Sequence, residues 1–149
     1  MQTIRKCFGI AAASAVIAFA SMAQAEQINT NGQNIALDGY DPVAYFTQSR
    51  PVVGASEFQS EWQDAIWQFA SAEHQSMFEE SPEKYAPRYG GFCAGAMSVK
   101  GYKAEIDPQY WMIVDGQLFL GGEQRAMDHF DTDAGVKINQ ADSNWQALN

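Results

Sequence analysis

The 149-residue sequence predicts an α+β fold: a small single domain in which short antiparallel hairpins pack against short helices. Three observations carry this expectation. Asp115-Gly116 stands between two β-prone runs, Trp111 to Val114 and Gln117 to Leu120, and both central positions of a two-residue hairpin turn favour positive φ. Ser71 and the triplet Ser81-Pro82-Glu83 are helix-start signals, each ahead of a stretch short enough for only a few turns. Strands and helices also fail to alternate in the βαβ order that a parallel sheet requires.

Taken in order, Val43, Tyr45 and Phe46 enrich their segment in strand formers, so 43–46 is expected to be a strand. Phe58 to Trp62 and Ile66 to Phe69 read as two strands of a hairpin turning around Gln63, Asp64 and Ala65. A helix over 72–80 follows the Ser71 cap, with Met77 and Phe78 on one side. Ser81 caps a second short helix, with Pro82 first, Glu83 in its opening turn and an end at Pro87. Phe92 to Met97 is rich in small residues and suits a tight turn or a short helix. The stretch 124–148 alternates at helical spacing, with a break expected at Gly135. Core positions are expected at Trp62, Trp67, Phe69, Phe78, Tyr85, Trp111, Ile113, Leu118 and Leu120.

No repeat and no Pro/Gly/Ser linker divides the chain, so three segments are expected: a leader over 1–25, a polar lead over 26–34 and one domain over 35–149. The leader reads as a secretory signal peptide. Arg5 and Lys6 form its cationic start, an apolar run extends from Cys7 to Met22, and Ala23-Gln24-Ala25 offers the small residues of a cleavage site after Ala25. Export to the periplasm or the medium is the corresponding expectation.

Charge narrows the function classes. Eighteen Asp and Glu against nine Lys and Arg give a formal net charge of −9, and loss of Arg5 and Lys6 with the leader deepens it to −11. Binding to nucleic acid or to an anionic membrane needs a basic face, so neither is expected. Cys7 would leave with the leader, and Cys93 would remain as a lone thiol that cannot form an internal disulfide.

Cys93 and Met97 are four residues apart, a spacing that puts both sulfurs on one face of a helix. Thiolate and thioether ligands together favour copper(I) over harder ions, although both residues are also common core components. His74 is the candidate third ligand, or a base for Cys93, against the simpler expectation of a surface histidine near a helix start. His129 has Asp128 and Asp131 beside it but no second histidine at a zinc spacing, and is read as solvated. The sequence lacks a dinucleotide fingerprint, a phosphate loop, a nucleophile elbow and a His-Glu-x-x-His motif.

The segments Leu37-Asp38-Gly39-Tyr40-Asp41-Pro42-Val43-Ala44-Tyr45-Phe46, Trp67-Gln68-Phe69-Ala70-Ser71 and Tyr89-Gly90-Gly91-Phe92-Cys93, with Phe78, Pro82 and Tyr85 between the last two, fall in a specific order. This order resembles the exported YHS-domain proteins of bacteria over most of the chain after the leader. The wider YHS group resembles small metal-sensing or metal-handling modules of copper and heavy-metal transport, in which Asp-Pro-Val-Cys and Phe-Cys-Ser motifs supply thiols. Here Ala44 and Ala70 occupy both of those cysteine positions, so the ligand set that the resemblance would carry is missing. Some relatives of this exported branch are selenoproteins with selenocysteine in a segment like that around Cys93, which implies redox chemistry for Cys93.

Three functional readings follow. The first is a soft-metal module, copper before other ions, using Cys93, Met97 and His74. The second is a thiol-redox protein with Cys93 as a lone nucleophile, for which Arg88, Lys100 and Lys103 are the nearby cations. The third is a non-catalytic interaction domain with a buried Cys93. The partner is then a metal ion or another periplasmic protein, and no catalytic residue other than Cys93 is assigned.

Overall fold

The computed structural model describes residues 27–149, so the leader, its cleavage site and Cys7 lie outside the described residues. Antiparallel pairing joins β1 (Ala55–Trp62) to β2 (Ala65–Phe69) and β3 (Trp111–Val114) to β4 (Gln117–Leu120), giving two sheets of two strands. Around them lie helices α1 (Ala44–Thr47), α2 (Ala72–Glu80), α3 (Pro82–Tyr85), α4 (Ala94–Lys100), α5 (Gln124–Asp131) and α6 (Ala134–Leu148). The fold is α+β, as the sequence predicts.

Both hairpins turn as their sequences dictate. Trp62 pairs with Ala65 across Gln63 and Asp64, whose φ angles are 49° and 59°. Val114 pairs with Gln117 across Asp115 and Gly116, at 50° and 75°. Positive φ at both central residues matches the right-handed twist of the flanking strands. α2 begins where the Ser71 side chain accepts the N–H of His74, and α3 opens on Pro82.

Three expectations are corrected. Residues 43–46 are not a strand, because Asp41 Oδ1 accepts the N–H groups of Val43 at 2.8 Å and of Ala44 at 3.2 Å and starts the helical turn α1. Local capping outweighs the β propensity of the side chains there. The break near Gly135 falls instead at Thr132 and Asp133, where the Asp133 carboxylate accepts the N–H of Val136 and caps α6, leaving Gly135 inside its first turn. The expected polar lead over 26–34 packs against the domain from Ile28 onward. Ile28 and Asn29 are buried, and Asn29 donates its N–H to the Gly90 carbonyl at 2.8 Å and its carboxamide to Gly91 at 3.3 Å. Gly90 permits this contact, since a Cβ there would stand 2.0 Å from the Gln27 carbonyl oxygen and its φ is +61°.

Two apolar clusters share β4. Leu118 and Leu120 point into the first, with Leu37, Val43, Trp67, Phe69 and Phe78, while Phe119 points into the second, with Tyr89, Met97, Phe130 and Trp145. Alternate strand residues face opposite sides, so an unbroken Leu-Phe-Leu run belongs to a strand covered on both faces. All nine expected core residues lie in or against the first cluster.

Candidate functional site

Cys93 is positioned by the turn before it and the helix after it. Tyr89 and Gly90 adopt left-handed backbone in a 3-10 turn over Arg88–Gly91, and Cys93 then donates its N–H to the Ala104 carbonyl at 3.0 Å. Cys93 is the N-cap residue of α4, and its carbonyl accepts the N–H of Met97 at 3.0 Å. α4 lies close on α5 because residue 95 is glycine: a Cβ there would meet the Ala126 carbonyl oxygen at 2.7 Å. The other end of α4 is fixed by Asn144 of α6, whose carboxamide donates to the Met97 carbonyl at 2.8 Å.

This packing leaves an open groove of about 630 Å³ over Cys93, with Ala96, Lys100, Tyr102, Arg125 and His129 among its walls. Cys93 is a free thiol, 4% exposed, at this groove. Glu105 and Glu123 also line it. Glu123 pairs with Arg125 at 3.1 Å, but both side chains are largely exposed, so the pair adds little stability.

Of the candidate residues named from the sequence, Cys93 and Met97 are neighbours in the first turn of α4, whereas His74 is held elsewhere. Met97 is wholly buried in the second cluster and does not line the groove. His74 is bound elsewhere. It is buried rather than on the surface, correcting the simpler expectation for it: its Nδ1 lies 2.6 Å from Asp41 Oδ2, and its Nε2 lies 3.1 Å from Thr47 Oγ1. Both ring nitrogens are therefore engaged away from Cys93 and Met97. His129 is exposed, as expected, and shares the groove with Cys93, a placement the sequence reading missed. Among the described residues, no three His, Cys, Asp or Glu side chains converge as a metal-binding set.

Of the three cations expected near Cys93, only Lys100 lines the groove. Lys103 lies over the Trp145 ring at 5.0 Å and donates to Gln27 Oε1 at 2.8 Å. Arg88 donates to Asp142 at 2.6 Å. Burial draws the Arg88 guanidinium down, yet the hydrogen bond and charge of Asp142 outweigh it, and its pKa stands above the ordinary value. Tyr89, which donates to the same carboxylate at 2.9 Å, has its phenol pushed up by burial and then by Asp142.

No family model matches the chain, and neither a curated protein nor a solved structure matches it.

Proposed function

We propose that this domain binds a soft metal ion, copper(I) before others, in the groove between α4 and α5, with the Cys93 thiolate as anchoring ligand and the His129 imidazole as the second donor. The observation that carries the reading is that the single thiol and one of the two imidazoles of the described chain line the same groove. A thiolate selects soft ions and imidazole suits copper, so this donor pair fits copper(I), which accepts low coordination numbers. The YHS group that the sequence resembles includes metal-handling modules that use thiols, with alanine here at both of their cysteine positions, Ala44 and Ala70, and Cys93 as the remaining thiol. Met97 in this reading stays in the core and holds the helix that presents Cys93.

The test is an anaerobic copper(I) titration of the purified protein against a competing chelator. One equivalent should bind tightly to the parent. Cys93→Ser should abolish that binding and His129→Ala should weaken it at least about tenfold, in keeping with loss of one ligand, whereas His74→Gln should leave it unchanged if it folds. Cys93→Ser binding as well as the parent would overturn the reading. If the parent binds no copper but its thiol alkylates fast in the folded state, the redox alternative takes its place, and a silent thiol would leave an interaction domain.

A further inference from the structure

Away from the groove, Asp41, His74 and Thr47 form a hydrogen-bonded chain that metal binding at Cys93 does not use. Asp41 is fully buried, and its carboxylate accepts four N–H groups. Oδ1 takes those of Val43 and Ala44, while Oδ2 takes that of Ala70 at 2.8 Å and Nδ1 of His74 at 2.6 Å. A carboxylate ringed by N–H donors acts only as an acceptor, which assigns the proton of the 2.6 Å bond to Nδ1. The other ring nitrogen, Nε2, lies 3.1 Å from Thr47 Oγ1, and in a neutral ring it carries the lone pair. The Thr47 hydroxyl also donates to the Val43 carbonyl at 3.2 Å, so its one proton has two places to go, that carbonyl and a lone pair on Nε2. His74 is 8% exposed, whereas Thr47 is an exposed residue at the end of α1 with its hydroxyl partly buried, so Thr47 is the more accessible end of the chain.

A carboxylate that orients an imidazole, whose far nitrogen faces an alcohol, is the arrangement that activates hydroxyl nucleophiles on unrelated folds. We propose that Thr47 is a nucleophile toward activated acyl esters, with His74 as its general base and Asp41 as the positioning residue that fixes the tautomer and ring plane of His74. In the step, Thr47 Oγ1 bonds to the acyl carbon and its proton passes to Nε2 of His74. The bond from the acyl carbon to the leaving oxygen breaks, and His74 returns the proton to that oxygen. The products are an acyl ester on Thr47 and a free alcohol or phenol, with no change of oxidation state. The exposed position of Thr47 means that the acyl group is presented from solution.

The test treats the purified full chain with p-nitrophenyl acetate and reads the acetylated positions by peptide mass spectrometry over time. Thr132 is the internal reference. Its hydroxyl donates to the Asp128 carbonyl at 2.9 Å, the same back-bond along a helix, and it has no hydrogen bond to an imidazole. Thr47 should acetylate at least about 100-fold faster than Thr132, the lower range of general-base assistance. Thr47→Ser should retain the reaction, Thr47→Val should remove the adduct from that peptide, and His74→Gln should bring Thr47 down to the Thr132 rate. Should His74→Gln fail to fold, the ratio within the parent still decides. Equal rates at Thr47 and Thr132 in the folded parent would overturn the proposal and leave the chain a structural tie. Fast acetylation of Thr47 that survives His74→Gln in a folded variant would overturn it equally.

Discussion

Four N–H groups converge on the Asp41 carboxylate from three places: the start of α1, the residue after β2, and the His74 ring on α2. Asp41 itself is fully buried, and removing its carboxylate would take the acceptor from all four donors, of which only the Ala70 N–H is partly open to water. Asp41→Ala should therefore cost about 3 kcal/mol or more of folding stability, since each buried donor left without its acceptor costs about 1 to 3 kcal/mol. Urea unfolding monitored by tryptophan fluorescence measures it, and a loss under about 1 kcal/mol would contradict the role given to this side chain. At this scale the sequence was half legible. Asp41-Pro42 is itself a helix-start signal, and it could have outweighed the β propensity of Val43, Tyr45 and Phe46. The burial of His74 could not be read, since its partners Asp41 and Thr47 are 33 and 27 residues away.

Between elements, two phenols act as ties. Tyr45 on α1 donates to the Pro108 carbonyl at 2.9 Å, ahead of β3, and Tyr89 donates to Asp142 on α6. Burial, followed by the nearby Tyr40, Asp107 and Asp41, pushes the Tyr45 phenol above its ordinary 10.0, and Tyr89 shifts in the same direction. A group whose folded pKa is raised lends its full stability below the unfolded value. As the pH climbs past about 10 the unfolded chain sheds protons that the folded one retains, so stability falls. Thermal melts should thus give a lower midpoint at pH about 11 than at pH about 9, with a shallower fall in Tyr45→Phe. The same fall in parent and variant would contradict the assignment to Tyr45. The hairpins, α2 and α3 were legible because their determinants are local: Asp115-Gly116, the Ser71 hydroxyl, and Pro82 after Ser81. α4 was half legible from its small residues, but what makes them necessary is the approach of Gly95 to Ala126, thirty-one residues along the chain.

For the whole molecule, the two-cluster core explains why His74 does not join Cys93 and Met97. His74 is held at Asp41, which lies beside Val43 and Ala44 of the first cluster's segment, while Met97 lies in the second and Cys93 at a groove on its flank. Every core residue expected from the sequence belongs in or against the first cluster, whose aromatic hairpin residues announce themselves locally. The second draws Tyr89, Met97, Phe119, Phe130 and Trp145 from separate elements, so only the folded chain reveals it. That Cys93 and His129 line one groove has the same origin, in the packing of α5 on α4.

Copper K-edge X-ray absorption of the protein loaded with one equivalent of copper(I) decides whether Cys93 and His129 hold the metal. One sulfur and one imidazole nitrogen are expected around the metal, with the nitrogen shell lost in His129→Ala and the sulfur shell lost in Cys93→Ser. A spectrum without a sulfur neighbour, or one unchanged by Cys93→Ser, would contradict that assignment.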